Sequence, residues 1–263
     1  MEKPRFYSLE TFWLLLQTAP QRVLLLDYDG TLAPFRQERD KAFPYPGVRE
    51  VIEKIQRSGK TRLIIVSGRS IKDIISLLGL EQLPEIWGGH GFERLLPDTS
   101  SIQKKEISAA CSLNLQKAFL WAREHGYENN CEQKASSLAF HWRGQKKEIK
   151  EQLEEKVCTA WEPLTTGQNL EIHPFDGGIE LRCAGIHKGD AIQQILDECS
   201  EDAIIAYLGD DLTDEDAFKT LKGRGLSVLV RDTHRDTLAD CCLTPPDELL
   251  IFLHNWYRYS TKI

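Results

Sequence analysis

Three short apolar runs constrain this chain more than any other feature. Residues 23–26, 63–66 and 204–208 are rich in Leu and β-branched residues, and each stops at a turn signal, Asp-Gly, Ser-Gly or Gly-Asp. Continuous runs of this length suit strands buried on both faces of a parallel sheet. Parallel strands need crossover connections, and helical stripes accompany the runs. Val48, Val51, Ile52 and Ile55 mark a helix over 46–56, and residues 70–78 and 188–199 carry similar stripes. The expectation is an α/β fold, with a Rossmann-like open parallel sheet and helices on its faces.

Residues 103–183 read differently, as helix, strand, strand, helix, strand, strand. Ile107, Cys111, Leu115, Ala118, Phe119 and Ala122 share one helical stripe, and a second helix is expected over 146–161. Strand-like segments at 128–134 and 136–143 follow the first helix, and Leu138, Phe140 and Trp142 alternate with Ala139, His141 and Arg143. Later, Leu170 and Ile172 alternate with Glu171 and His173, and Ile179, Leu181 and Cys183 with Glu180 and Arg182. Alternation predicts a sheet with one buried face and one open face. The open face would hold Glu132, Lys134, His141, Arg143, Glu171, Glu180 and Arg182, either as a solvated surface or as a substrate-reading one. The chain is therefore expected to form a core from residues 1–102 and 184–263, with an inserted domain over 103–183. Because the chain crosses between them twice, hinges are expected near 98–103 and 183–187.

Composition narrows the function classes. Hydrophobic residues at 41% and charged residues at 28% give a chain that can bury a core, which excludes disordered and disulfide-scaffold readings. Asp and Glu number 40 against 33 Lys and Arg, a net charge of −7 with no basic stripe, so no nucleic acid partner is expected. Seven cysteines without a Cys-x-x-Cys argue against a structural zinc site and suit a reducing, cytoplasmic location. The apolar stretch from Phe12 to Leu16 is far short of the ~20 residues that span a bilayer and lacks signal-peptide flanks, so no membrane partner is expected.

The chemistry concentrates where the apolar runs end. In open parallel sheets, ligands bind beyond the carboxyl ends of the strands. Those ends carry Asp27-Tyr28-Asp29-Gly30-Thr31, then Ser67-Gly68-Arg69, then Gly209-Asp210-Asp211 with Asp214. Carboxylates share a site only if a cation offsets them or one takes a proton, and hard oxygen ligands suit Mg²⁺. A carboxylate can attack a phosphoryl group once a metal and a Lys remove the repulsion between the two anions. Lys188 is the candidate Lys, with the hydroxyls of Ser67 and Thr31 as phosphate donors. Alone, each of these elements reads as a turn, a cap or a solvated side chain. Together, and in this order at strand ends, they make a site.

Asp27-x-Asp29-Gly-Thr, Ser67, Lys188 and Gly209-Asp210-Asp211-x-x-Asp214 resemble the four motifs of haloacid-dehalogenase (HAD) phosphatases. Gly89-His90-Gly91-Phe92-Glu93, Glu132-x-Lys134, His141-Trp-Arg143, Glu171-Ile-His-Pro, Glu180 and the extension to Phe218 make the chain similar to the trehalose-6-phosphate phosphatase family. Two positions depart from that family's pattern: Trp142 stands where Tyr is usual, and His173 where Arg is common. The resemblance implies a HAD core with an inserted α/β cap of the C2B type and hydrolysis of a sugar phosphate through an aspartyl-phosphate. Asp27 would be nucleophile and Mg²⁺ ligand. Asp29 would ligate through its backbone carbonyl and serve as general acid and base. Asp210 would complete the metal site, with Asp211 and Asp214 supporting it. Ser67 and Lys188 would hold the phosphoryl group, and Thr31, Gly68 and Arg69 would line its pocket. On the cap, Glu132, Lys134, His141, Arg143 and Glu180 would contact the sugar. His90 divides evenly between a substrate contact and a loop role, and His187, Trp87 and the Cys241–Cys242 pair read as structural.

Three alternatives stay open at this point. The substrate could be sucrose phosphate, a glucosyl- or mannosyl-phosphoglycerate, or a phosphorylated hexose. The chain could be a non-catalytic regulatory subunit of a glycosyltransferase complex, which the intact Asp27, Asp29, Lys188 and Asp210 set weighs against. The phosphoryl acceptor could also be something other than water. Association with a trehalose-6-phosphate synthase is not readable from these residues.

Overall fold

The computed structural model describes residues 8–262, apart from Gln37, Arg143, Gln168 and Asp176. The chain divides into two compact units. The first comprises Met1–Lys104, Lys188–Asp210 and Asp214–Ile263, and the second comprises Lys105–His187 with Asp211–Thr213.

In chain order the strands are β1 (Arg22–Leu26), β2 (Arg62–Val66), β3 (Glu85–Gly88), β4 (Glu93–Leu95), β5 (Ile102–Lys104), β6 (Cys131–Gln133), β7 (Ser137–His141), β8 (Leu170–Phe175), β9 (Gly178–Cys183), β10 (Ile204–Gly209), β11 (Leu226–Val230) and β12 (Cys241–Leu243). The helices are α1 (Leu9–Thr18), α2 (Val48–Arg57), α3 (Ile71–Leu78), α4 (Ala109–Glu124), α5 (Lys147–Thr165), α6 (Lys188–Asp197), α7 (Glu215–Leu221) and α8 (Asp247–Thr261).

The first unit is built on an eight-stranded sheet of order β12-β11-β10-β1-β2-β3-β4-β5. From β12 to β3 every pairing is parallel, and the last two are antiparallel. The three apolar runs are the central strands β1, β2 and β10, as their continuous hydrophobicity predicts. One apolar cluster packs Leu24, Leu26 and Ile65 with Val51, Ile52, Phe252 and Trp256, and another packs Val23, Leu25 and Ile64 with Ile192, Ile195 and Phe218. Alternate residues of β1 thus enter opposite clusters, so the sheet is covered on both faces. Each such fully buried aliphatic side chain contributes roughly 1.5–3 kcal/mol before cavity terms. The α3 helix begins where the Ser70 hydroxyl accepts from Asp73 N at 3.2 Å and ends at Gly79, whose φ of 58° is left-handed.

The second unit is a four-stranded antiparallel sheet of order β6-β7-β9-β8 with α4 and α5. Leu138, Phe140, Ile179 and Leu181 are buried with Trp161 of α5 and Leu115 of α4, as the alternation predicts. Two expectations change. Strand β6 is only Cys131–Gln133, because Glu128–Asn130 forms a 3-10 turn before it. The polar face is also not open throughout, since every residue of β9 is buried, including Glu180 and Arg182. Alternation separates two faces but does not say whether a charged face is wet. Among the described residues, no helix is long and apolar enough to cross a membrane.

Candidate active site

The site in the first unit is set by backbone before any side chain acts. Asp27 N donates to Leu208 O at 2.8 Å, extending the pairing of β1 with β10 by one residue. Ser67 N donates to Trp87 O at 2.8 Å, doing the same for β2 and β3. Asp27, Ser67 and Asp210 therefore leave adjacent strands at their carboxyl ends.

Lys188, the first residue of α6, joins two of the acids. Its Nζ lies 2.7 Å from Asp27 Oδ1 and 2.6 Å from Asp214 Oδ1, and all three side chains are at least 95% inaccessible (3%, 5% and 0% exposed). Asp214 also accepts from the Tyr207 hydroxyl on Oδ1 and from Asp210 N at 3.0 Å on Oδ2. Ligand-capable oxygens of Asp27, Asp210 and Asp214 all fall within 4.8 Å of one another. Gly30 makes this approach possible. Its φ is 79°, and a Cβ there would sit 2.0 Å from Asp210 Oδ2.

The charges are unevenly matched. Burial is the largest influence on Asp27 and drives its pKa up to about 7; Lys188 pulls it down, while Asp214 and Asp29 push it up. Burial alone would lower the pKa of Lys188, yet Asp214 and Asp27 outweigh it and the net shift is upward. The Lys188 ammonium faces two carboxylates, Asp27 and Asp214. Burial, then Asp214 and Asp27, also raise the Tyr207 hydroxyl well above its usual pKa, so it stays a donor. A small hard cation fits this donor set, since it would offset the surplus of buried carboxylates. The oxygens of Asp214 already serve Lys188, Tyr207 and Asp210 N. Asp211 Oδ1 accepts from Leu212 N at 2.7 Å within its own turn.

The other expected phosphate residues are placed as follows. Thr31 is fully buried, and its hydroxyl has no hydrogen-bond partner among the described residues. Ser67 Oγ accepts from Arg69 N at 3.2 Å. Arg69 Nε and Nη2 each donate to one oxygen of Asp29 at 2.6 Å, and its Nη1 donates to Arg39 O at 2.7 Å. His90 is 7% exposed with a φ of 58°, and its N donates to Ser67 O at 2.9 Å. Its ring lies over Gly68, where a Cβ would come within 2.5 Å.

The expected sugar-binding residues gather on one face of the second unit. The register places Glu132 opposite Ala139, Ala139 opposite Glu180, and Glu180 opposite His173. Glu180 accepts from Lys134 Nζ at 3.0 Å, Ser137 Oγ at 2.6 Å and Arg182 Nη2 at 2.5 Å. His141 Nε2 is 3.2 Å from Glu132 Oε2, and His173 Nε2 is 3.2 Å from Glu171 Oε2. Arg143 lies outside the described residues. Sequence reasoning missed Tyr207, Ser137 and the buried role of Arg182. Tyr207 carried a usable signal, as a phenol in an otherwise aliphatic buried strand must find a partner.

The chain matches the model of the trehalose-phosphatase family over residues 25–243. It belongs to that family. A trehalose-phosphate phosphatase of Mycobacterium tuberculosis (strain ATCC 25618 / H37Rv) is 31% identical over 228 residues, covering 82% of this chain and 55% of that protein. The chain thus spans about half the length of its mycobacterial relatives. The probable trehalose-phosphate phosphatase H of Arabidopsis thaliana is 30% identical over 272 residues, covering 94% of this chain and 75% of that protein. Among solved structures, the C-terminal domain of C. albicans trehalose-6-phosphate phosphatase is similar with a TM-score of 0.82 at 20% identity, over 97% of this chain and 99% of that one. The α/β architecture is that of the HAD fold, as expected for this family.

Proposed function

We propose that this trehalose-phosphatase family member is a Mg²⁺-dependent phosphatase that hydrolyses trehalose 6-phosphate to trehalose and phosphate. The observation that carries the reading is the buried Lys188 bridge between Asp27 and Asp214, with Asp210 in the same cluster at the strand ends. The choice of sugar rests on family membership and on the names of the relatives.

In this reading Asp27 attacks phosphorus in line. The bond from phosphorus to the sugar oxygen breaks, and the electron pair leaves with that oxygen, which takes a proton from Asp29. Water then attacks the aspartyl-phosphate, Asp29 takes the water's proton, and the bond from phosphorus to Asp27 breaks to release phosphate. Lys188 counters the phosphoryl charge, and the Ser67 and Thr31 hydroxyls donate to its oxygens. Mg²⁺ when bound supplies positive charge that offsets both the carboxylates and the phosphate. Asp27, Asp210 and the Asp29 carbonyl would hold it, with Asp214 and Asp211 in support. The unit Lys105–His187 takes the role of a cap, in which Glu132, Lys134, His141 and Glu180 recognise sugar hydroxyls as charged acceptors and donors. Seven free cysteines suit action in a reducing cytoplasm.

Phosphate release from a panel of sugar phosphates, with Mg²⁺ and with chelator, tests the reading. Trehalose 6-phosphate is expected to be turned over only with Mg²⁺, and Asp27→Asn to lose on the order of 10³-fold or more. Good turnover of another sugar phosphate with none of trehalose 6-phosphate would overturn the substrate. Full activity of Asp27→Asn would overturn the nucleophile.

A further inference from the structure

We propose that Arg69 is a positioning residue that holds the Asp29 carboxylate for proton transfer, rather than a phosphate-binding residue; this rests on the phosphatase reading above. Asp29 follows β1 on a loop, and its side chain is 28% exposed. A carboxylate so placed would sample several rotamers unless something fixed it. Arg69 does so with both forks of its guanidinium, one on each oxygen at 2.6 Å. Two parallel charge-assisted bonds fix the plane of the carboxylate as well as its position.

The clamp is itself anchored. The Arg69 side chain is 5% exposed, its third nitrogen donates to Arg39 O at 2.7 Å, and its guanidinium lies 5.9 Å from the centre of the Tyr28 ring. Its backbone is held from both sides, with N donating to Ser67 Oγ at 3.2 Å and O accepting from Gly89 N at 2.7 Å. The Ser-Gly-Arg turn thereby links Ser67, which faces phosphate in the proposed mechanism, to Asp29, which faces the leaving oxygen. Each carboxylate oxygen has two acceptor directions, and the clamp uses one of each, so the other directions stay available for the sugar oxygen and for water. With three of its five N–H donors committed to Asp29 and Arg39 and its side chain buried, Arg69 is poorly suited to bind the substrate phosphate as well.

A general acid matters only when the leaving group needs a proton. An aryl phosphate such as p-nitrophenyl phosphate departs without one, and kcat/KM reports the steps up to that departure. For Arg69→Gln and Arg69→Lys, kcat/KM on trehalose 6-phosphate is expected to fall on the order of 10²-fold, as for a misplaced acid, while kcat/KM on p-nitrophenyl phosphate stays within about threefold. The Lys variant keeps the charge but not the fork, so it should rescue little. In an Asp29→Asn background, Arg69→Lys is expected to cost nothing further on the sugar phosphate. Inhibition by inorganic phosphate should be unchanged in both variants.

Equal losses on the two esters, weaker inhibition by phosphate, or no loss on either ester would each overturn the proposal. So would an additive loss in the Asp29→Asn background. Failure of the wild-type protein to hydrolyse any phosphate ester would overturn the phosphatase reading first, and the proposal with it.

Discussion

Glu180 in the second unit meets two cations, whereas Asp27 and Asp214 in the first share one. Lys134 and Arg182 lie 3.0 and 2.5 Å from Glu180, and the Ser137 hydroxyl donates to it at 2.6 Å. Lys188 bridges Asp27 and Asp214, with Asp210 in the same buried group. Burying a carboxylate is tolerable only with compensation, and the two regions compensate differently. In the second unit, Glu180 is offset by cations and a hydroxyl from its own sheet and the loop after β6. The core cluster keeps a surplus of negative charge, which suits it to take a divalent cation and then an anion.

Removing Lys188 should break this contrast most severely. Lys188→Met keeps the length of the side chain but leaves Asp27 and Asp214 buried without their shared cation. Stability without metal is expected to fall by about 3–5 kcal/mol, measured as a shift in denaturant midpoint at constant m. Phosphatase activity should fall about 10²–10³-fold. A variant as stable as the wild type would mean that the carboxylates are not charge-limited. Next in size is the cation itself. Mg²⁺ at about 100 times its Kd should stabilise the wild type by about 2.7 kcal/mol, and Asp210→Asn should abolish that gain. The second unit supplies the control, since Glu180→Gln should leave the Mg²⁺-induced stabilisation intact.

The same Glu180→Gln variant probes recognition. It strands two cations around a neutral amide and removes one charged acceptor for a sugar hydroxyl. KM for trehalose 6-phosphate should rise about tenfold, with kcat changed less, as for lost ground-state binding. The KM for p-nitrophenyl phosphate, which has no sugar, should move little. Equal effects on both esters would remove Glu180 from recognition.

How legible these two regions were differs for a physical reason. The core site followed from strand ends, because Asp27, Ser67 and Asp210 each come directly after an apolar run that has to be a strand. A side chain one residue beyond a parallel strand has little freedom in where it lies. The cap residues were legible as a face, since His141 and Glu180 alternate with buried apolar neighbours. The burial of Glu180 was not legible, because it depends on Arg182 of β9 and Lys134, just past the end of β6, closing on it. The Arg69 clamp was invisible for a similar reason. Asp29 and Arg69 are separated by 40 positions and meet only through the pairing of β1 with β2.

The smallest expected effect is also the finest test of the contrast. Tyr207 and Ser137 occupy equivalent places in the two clusters, each a hydroxyl that donates to a buried carboxylate. The oxygen Tyr207 serves, Asp214 Oδ1, is shared with Lys188, and Lys188 is shared in turn with Asp27. The oxygen Ser137 serves belongs to a carboxylate with two cations of its own. A hydrogen bond to a buried charge is worth about 1.5–3 kcal/mol, and more of that should be lost where charge compensation is scarce. Tyr207→Phe is therefore expected to cost about 2 kcal/mol without metal, and Ser137→Ala no more than about half of that. Mg²⁺ should reduce the cost of Tyr207→Phe, because the cation takes over part of the compensation, and should leave Ser137→Ala unchanged. Equal costs in the two variants, or a Tyr207→Phe cost insensitive to Mg²⁺, would show that geometry rather than charge balance sets these two clusters apart.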